Sequence, residues 1–404
     1  MEPKRVVITG LGLVSPIGHT LSEFWHSIAA GHNGLRPIPR HRASTQSYSL
    51  GGVIADDVLT ALSTGYGSVT TSRSGLMATI AGNMAMNDAA AGCSVPTCTT
   101  ICIGSMFSAI PPRTHRDACS PLFPHDTSPT STTMTMGSPD TWEWISQGSA
   151  SGLAAICRGV DLIRLGHQQM VVAGGVDTPF EYPHILDSLL NTERSSHSIP
   201  LRESACRSNP RTPVFAPGEA AAMVVLESRE HAIKRGARIY GEWLGWAARM
   251  SDASPLGDEH ADQGRAMVIR RACGNSRDMI ESITLCCLTG LGVPAHDRAE
   301  WGAVRAVWPM HEQVPYSTTI SQYTGHVFAA GGPLQIVMAS LAIDKASLSS
   351  LPLSTGTEVS CLPTHCDKWS RESTRRAVIL GSGFGGYCVA VALAALHSHE
   401  GRSN

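Results

Sequence analysis

Apolar residues recur along this chain in two rhythms, continuous runs bounded by glycine and stripes at helical spacing, and the two alternate. "RVVITGLGLVSPIG" at the start reads as a buried strand ending in a glycine turn. "LSEFWHSIAAG" follows as a helix with Leu21, Phe24, Trp25 and Ile28 on one face and Gly31 as its stop. "GLAAICRGVDLIRLG" sets Leu153, Ile156, Val160 and Ile163 on a second stripe, closed by Gly166. "QQMVVAGGVD" and "AAAMVVLES" are continuous apolar runs of strand length, and the helix "REHAIKRG" follows the second. A later block begins near "RIYGEWLGWAARMSD", with helical "GRAMVIRRACG", strand-like "SITLCCLTG" and helical "AEWGAVRAVW". "PLQIVMASLAIDK" and the strand-turn-strand "RAVILGSGFGGYCVAVAL" end that block. Strands interleaved with helices predict an α/β architecture. Buried strands with glycine turns in both blocks are consistent with an internal duplication, although identity between the blocks is faint.

Composition narrows the function classes. Of 404 residues 42% are hydrophobic and only 16% charged, against the ~25% charge usual in soluble domains, which suggests surface covered by a partner. A formal net charge of −2 argues against nucleic acid or an anionic membrane as the main ligand. The basic start "MEPKRVVITGLG" lacks a cleavage pattern, and the longest apolar run, "VAVALAALH", falls far short of the ~20 residues that span a bilayer, so a soluble, cytoplasmic protein is expected. Among 12 cysteines none forms a C-x-x-C pair. Zinc ligation by Cys361, His365 and Cys366 fits no common site, and buried reduced thiols are the preferred reading. Gly10-x-Gly12-x-x-Ser15 lacks the third glycine and the later acidic residue of a dinucleotide fold, and "GSGFGG" lies between strands with no helix to hold phosphate. No cofactor and no metal is expected. The segment 111–140, rich in Pro, Ser and Thr, is longer than an ordinary connection.

Six motifs follow one another in order: "KRVVITGLGLVSPIG", "GVDLIRLGHQQMVVAGGVDTPF", "PVFAPGEAAAMVVLESREHAIKRGARIYGE", "LTGLGVPAHDRAEWGAVRAV", "YTGHVFAAGGPLQ" and "GSGFGGYCVAVAL". Together they resemble the β-ketoacyl-acyl-carrier-protein synthases of fatty acid and type II polyketide assembly. The resemblance implies a thiolase-type fold, a five-layered αβαβα sandwich of two pseudo-equivalent halves, here 1–236 and 237–404, working as a dimer. It also implies four catalytic positions, a Cys, two His and a Lys. The nucleophile position falls on Ser149, the first His on Thr289, the Lys on Ser321, and the second His survives as His326. Gly290, Pro294, Asp297 and Glu300 of the first histidine loop remain.

A thiol is partly ionised near neutrality, whereas a serine hydroxyl needs a base beside it. Losing one preorganised donor commonly costs ~10²–10³ in rate, so losing Cys, His and Lys together should end condensation. The pattern is similar to chain-length factors, ketosynthase homologues without the nucleophile that pair with an active ketosynthase; Ser at that position, in place of their frequent Gln, is a departure. Read alone, Ser149 is an N-cap of the helix that follows, and the resemblance makes it a relic of the nucleophile now serving as that cap. His326 reads as a hydrogen-bonded structural residue, and Cys157 as a small buried hydrophobe. The resemblance further implies that Phe107 and Ile110 line an acyl channel, and that Pro121, Leu122, Phe123, Thr133 and Met134 meet a partner subunit; without it, 111–140 is a solvated loop. The expected function is a non-catalytic subunit that pairs with an active ketosynthase, is served by acyl carrier protein and limits product length. The rivals are an acyltransferase using Ser149 as nucleophile with His326 as base, and a scaffolding homodimer.

Overall fold

The computed structural model describes residues 3–39, 50–66, 72–93, 100–107, 141–186, 215–250, 261–310, 314–347, 375–383 and 386–396. Ile110, Pro121, Leu122, Phe123, Thr133, Met134, Cys361, His365 and Cys366 lie outside the described residues.

The main strands are β1 (Val6–Val14), β2 (Thr100–Gly104), β3 (Thr141–Ile145), β4 (Met170–Asp177), β5 (Ala220–Ser228), β6 (Gly241–Met250), β7 (Leu285–Cys287), β8 (Tyr316–Thr318), β9 (Arg376–Ser382) and β10 (Tyr387–Ala394). The helices that position the site are α1 (Leu21–Ala29), α2 (Arg73–Ala89), α3 (Ser151–Arg164), α4 (Ala261–Ala272), α5 (Pro294–Val307) and α6 (Gly331–Asp344). The strands run in the order β8-β7-β9-β10-β6-β1-β5-β4-β2-β3. The first five strands take the order β3-β2-β4-β5-β1 and the last five β8-β7-β9-β10-β6, the same permutation twice. Pairing directions repeat as well: β2 is parallel to β3 and β4, β5 antiparallel to β4 and β1. In the same way β7 is parallel to β8 and β9, and β10 antiparallel to β9 and β6. The two five-stranded units join where Val6, Val7 and Ile8 pair with Trp243, Glu242 and Gly241.

The period-two alternation of a strand sorts neighbouring side chains into different layers. Val171 of β4 joins a central core with Leu153, Ile156 and Val160 of α3 and Leu334, Val337 and Leu341 of α6, whereas Val172 faces Met77, Ile80 and Ala81 of α2. Ile379 of β9 joins the central core, whereas Val378 faces Val268 and Ile269 of α4 and Val304 of α5. The layers are therefore α2, a sheet, α3 with α6, a sheet, and α4 with α5. This is the αβαβα sandwich the resemblance implies. Strands buried on both faces explain why their sequences are runs rather than alternations. No helix among the described residues is long and apolar enough to cross a membrane.

Candidate functional site

Two close backbone approaches bring the ends of the inner helices together. A Cβ on Gly152, in the first turn of α3, would stand 2.1 Å from the Ala329 carbonyl oxygen, and one on Gly175 of β4 would stand 2.3 Å from the same atom. Only hydrogen fits at either position, so these glycines let α3 abut the turn before α6. That turn is strained: Phe328 holds φ +49°, a region that bulky L-residues avoid.

Ser149 is placed by this contact. It follows Gly148, whose φ of +58° needs glycine, and is separated from α3 by Ala150. It does not cap the helix. The N-cap is Ala150, with no side-chain cap, and the turn is closed by Ser151, whose Oγ accepts from Gln147 N at 2.7 Å and donates to Gly148 O at 2.5 Å. The Ser149 hydroxyl points elsewhere, to His326 Nε2 at 3.0 Å. The capping expectation fails because the helix begins one residue later than the serine needs.

His326 is held by its own backbone, its N–H donating to Ala216 O at 2.6 Å and its carbonyl accepting from Gly218 N at 2.8 Å. Its ring is 4% exposed and packs edge-on against Phe328, with centroids 4.6 Å apart. Burial first, and the neighbouring His296 second, lower its pKa to about 3. At neutral pH the imidazole is uncharged: it can accept the Ser149 proton in a hydrogen bond but is a poor place to store it.

Thr289 and Ser321 are engaged in holding loops. The Thr289 hydroxyl accepts from Ser382 N at 3.1 Å and lies 3.4 Å from Leu380 O, which bonds it to the end of β9. Ser321 Oγ lies 2.9 Å from Thr319 Oγ1 and donates to Gly290 O. The Glu300 carboxylate, on α5, receives Thr289 N at 3.2 Å and Gly290 N at 2.9 Å. Ser149, Thr289, Ser321, His326, Phe328 and Gln335 line one small cavity of about 20 Å³. That is room for about one water molecule.

Residues 3–107 and 145–232 match the model of the beta-ketoacyl synthase N-terminal domain, and residues 240–351 match that of the C-terminal domain. The chain belongs to the β-ketoacyl synthase family. It is 26% identical over 361 residues to 3-oxoacyl-[acyl-carrier-protein] synthase 2 of Synechocystis, covering 85% of this chain and 86% of the relative. It is 27% identical over 420 residues to the tetracenomycin polyketide synthase ketoacyl synthase alpha subunit of Streptomyces glaucescens, covering 97% of each. Among solved structures, the ishigamide ketosynthase/chain length factor aligns with a TM-score of 0.75 at 22% identity, over 98% of this chain and 100% of that one. A type II polyketide synthase acyl-carrier protein in complex with its ketosynthase aligns with a TM-score of 0.77 at 23% identity, over 98% of this chain and 100% of that one. These likenesses establish the thiolase-type fold.

Within this β-ketoacyl synthase pocket, all four positions carried over by resemblance, Ser149, Thr289, Ser321 and His326, converge on the one cavity. Phe107 does not line it. Its buried ring backs Phe328 edge-on at 4.8 Å and stacks with Tyr182 at 6.4 Å, one side chain behind the wall. Cys157 is 1% exposed in the central core, where burial pushes its thiol well above the usual range, so it supplies no thiolate.

The sequence reading passed over Asp177. Fully buried at the end of β4, it accepts from Ser105 Oγ at 2.6 Å, Phe107 N at 3.0 Å, Met106 N at 3.0 Å and Ala329 N at 2.8 Å. Burial raises its pKa to about 6, against those donors. One carboxylate thus ties the loop bearing Phe107 to the turn bearing Phe328. The available signal was a lone acidic residue closing the apolar run "MVVAGGVD". His296 was passed over as well; it is 2% exposed on α5.

Proposed function

We propose that the chain is a non-condensing, chain-length-factor-like subunit, pairing with an active ketosynthase and shaping the channel in which a carrier-protein-bound polyketide chain grows. The observation that supports this reading most is the pocket lined by three hydroxyls and one neutral imidazole, at the positions where the family resemblance expects a thiol, two imidazoles and an ammonium. None of these hydroxyls ionises near neutrality, and the two on Thr289 and Ser321 are bonded into loops. The full-length likeness to the ishigamide ketosynthase/chain length factor is consistent with this role. The reading places the boundary between the halves at 236/237, assigns Pro121, Leu122, Phe123, Thr133 and Met134 to the subunit interface, keeps Phe107 and Ile110 as channel residues, and makes Phe107, edge-on against Phe328, a stopper at the channel end. It is tested by reconstituting the chain with a ketosynthase and a malonyl-loaded carrier protein. Phe107→Ala should lengthen the product without slowing elongation more than a few-fold; an unchanged product distribution counts against the channel role.

A second reading is favoured by one distance, Ser149 Oγ to His326 Nε2 at 3.0 Å. A serine paired with an imidazole is the arrangement of an acyl-ester nucleophile. The chain would then act as an acyltransferase. Incubation with an acyl-loaded carrier protein and intact mass measurement decides: an acyl adduct abolished by Ser149→Ala establishes it, and no adduct rejects it.

A further inference from the structure

On the far side of the Thr289 loop from the pocket, α5 brings together three groups that the reading above does not use. We infer that His296, Asp297 and Glu300 form a binding site for one divalent metal ion of the zinc class, which braces the wall of the pocket. His296 and Glu300, four residues apart on a helix, share a face, and Asp297 is beside them. The Nδ1 of His296 and one carboxylate oxygen from each acid all lie within 4.8 Å of one another. His296 Nδ1 stands 3.5 Å from Asp297 Oδ1 and 3.9 Å from Glu300 Oε2.

Two of these atoms face each other without partners. His296 Nδ1, on a side chain 3% exposed, and Asp297 Oδ1 make no hydrogen bond among the described residues, and at 3.5 Å they are too far apart to satisfy each other. Buried polar atoms left in this state are costly, and a ligand shared between them would relieve that cost. A metal ion fits the spacing. Zinc bonds of about 2.0–2.2 Å place tetrahedral ligand atoms about 3.4 Å apart, close to the 3.5 Å between His296 Nδ1 and Asp297 Oδ1, while the wider spacings of the set, up to 4.8 Å, require Glu300 to swing inward. One imidazole nitrogen with two carboxylate oxygens is a donor set for zinc-like ions rather than for calcium or magnesium, which take oxygen alone.

The ligands are already oriented from behind. Asp297 receives Gly292 N at 3.1 Å on its other oxygen, and Glu300 receives Thr289 N and Gly290 N. Such outer contacts fix ligand geometry in metal sites. Arg265, Arg298 and the positive end of α5 oppose a cation here, and the carboxylates of Asp297 and Glu300 favour it. The ion would pin α5 to the loop of residues 289–292, and so hold one side of the cavity. This inference does not rest on the chain-length-factor reading.

The test is metal content and binding on the full chain, by plasma mass spectrometry after zinc supplementation and by equilibrium dialysis with zinc chloride. One equivalent per chain is expected. His296→Gln, which keeps both carboxylates, should weaken binding by more than the ~10–100-fold that altering an outer contact costs, and Asp297→Asn should do the same. Cys361→Ser with Cys366→Ser should leave the equivalent in place. Zinc should raise the Tm of the chelator-treated wild-type chain and not that of His296→Gln, a comparison that stands even where Asp297→Asn fails to fold. No zinc retained above background, retention unchanged in His296→Gln, or loss in the cysteine variant overturns the proposal.

Discussion

The two halves of this molecule share a strand permutation and differ in what they bring to the seam. The first half contributes Ser149, at the start of α3. The second contributes Thr289 and His326 from connections and Ser321 from the start of a short helix, Ser321–Thr324, together with the strained turn that precedes α6. Their inner helices differ accordingly. α3 buries a stripe and exposes Arg158, which pairs with Glu143, whereas α6 is buried on nearly every side from Pro333 to Ile343. The halves repeat the scaffold, and among the described residues the four candidate positions gather where the halves meet. Side chains at the seam can therefore drift in function while the packing that creates it stays constrained, because Gly152 and Gly175 serve backbone contact and not reaction.

That contrast between scaffold and chemistry can be broken experimentally, and the largest effect should come from the scaffold. Gly152→Ala, with its Cβ 2.1 Å from Ala329 O, should cost about 3 kcal/mol in urea unfolding. Gly65→Ala, where no atom lies within 4 Å, should change stability by no more than ~1 kcal/mol. Equal effects would remove the seam's special status.

Asp177→Ala comes next, at about 2–3 kcal/mol, since it leaves four donors from two loops without their acceptor. Its pH signature has a definite sign. With a folded pKa of about 6, raised from 3.8, the folded chain holds a proton that the unfolded chain releases, so this stabilising contribution is present below pH 3.8 and is lost as pH rises towards 6. The variant should lose that slope.

His326 has the opposite sign. Its folded pKa of about 3 lies below the ordinary 6.5, so its contribution is full above pH 6.5 and falls as pH drops towards 3. Between pH 6.5 and 5 that amounts to about 2 kcal/mol, and His326→Phe should remove it from equilibrium unfolding curves. The smallest effect belongs to the Thr289 hydroxyl. Thr289→Val should cost ~1 kcal/mol, the worth of a modest hydrogen bond, by the same unfolding assay.

The amount legible in the sequence divides along similar lines. Strands β4, β5, β9 and β10 were readable as apolar runs, and α1 and α3 from their stripes and their glycine stops. The family motifs located Ser149, Thr289, Ser321 and His326, which the fold brings to one cavity. α2 went unread for a physical reason. Buried at Met77, Ala78, Thr79, Ile80 and Ala81 in succession, and rich in Gly, Ala and Met, it has no polar face to mark a period. The Ser149 cap was misread because a serine before a helix usually caps it, and here the start of α3 is set by contact with Ala329. Asp177 went unread because its donors, Ser105, Met106, Phe107 and Ala329, lie far away in the chain, and His296 because nothing in its helix marks it as buried.

The central claim is tested most directly by the rate of carbon–carbon bond formation, measured for the chain alone and reconstituted with a ketosynthase, each as wild type and as Ser149→Ala. The account predicts no turnover by the chain alone, and a rate for the pair that changes less than twofold with Ser149→Ala. Turnover by the isolated chain, abolished by that substitution, would contradict it.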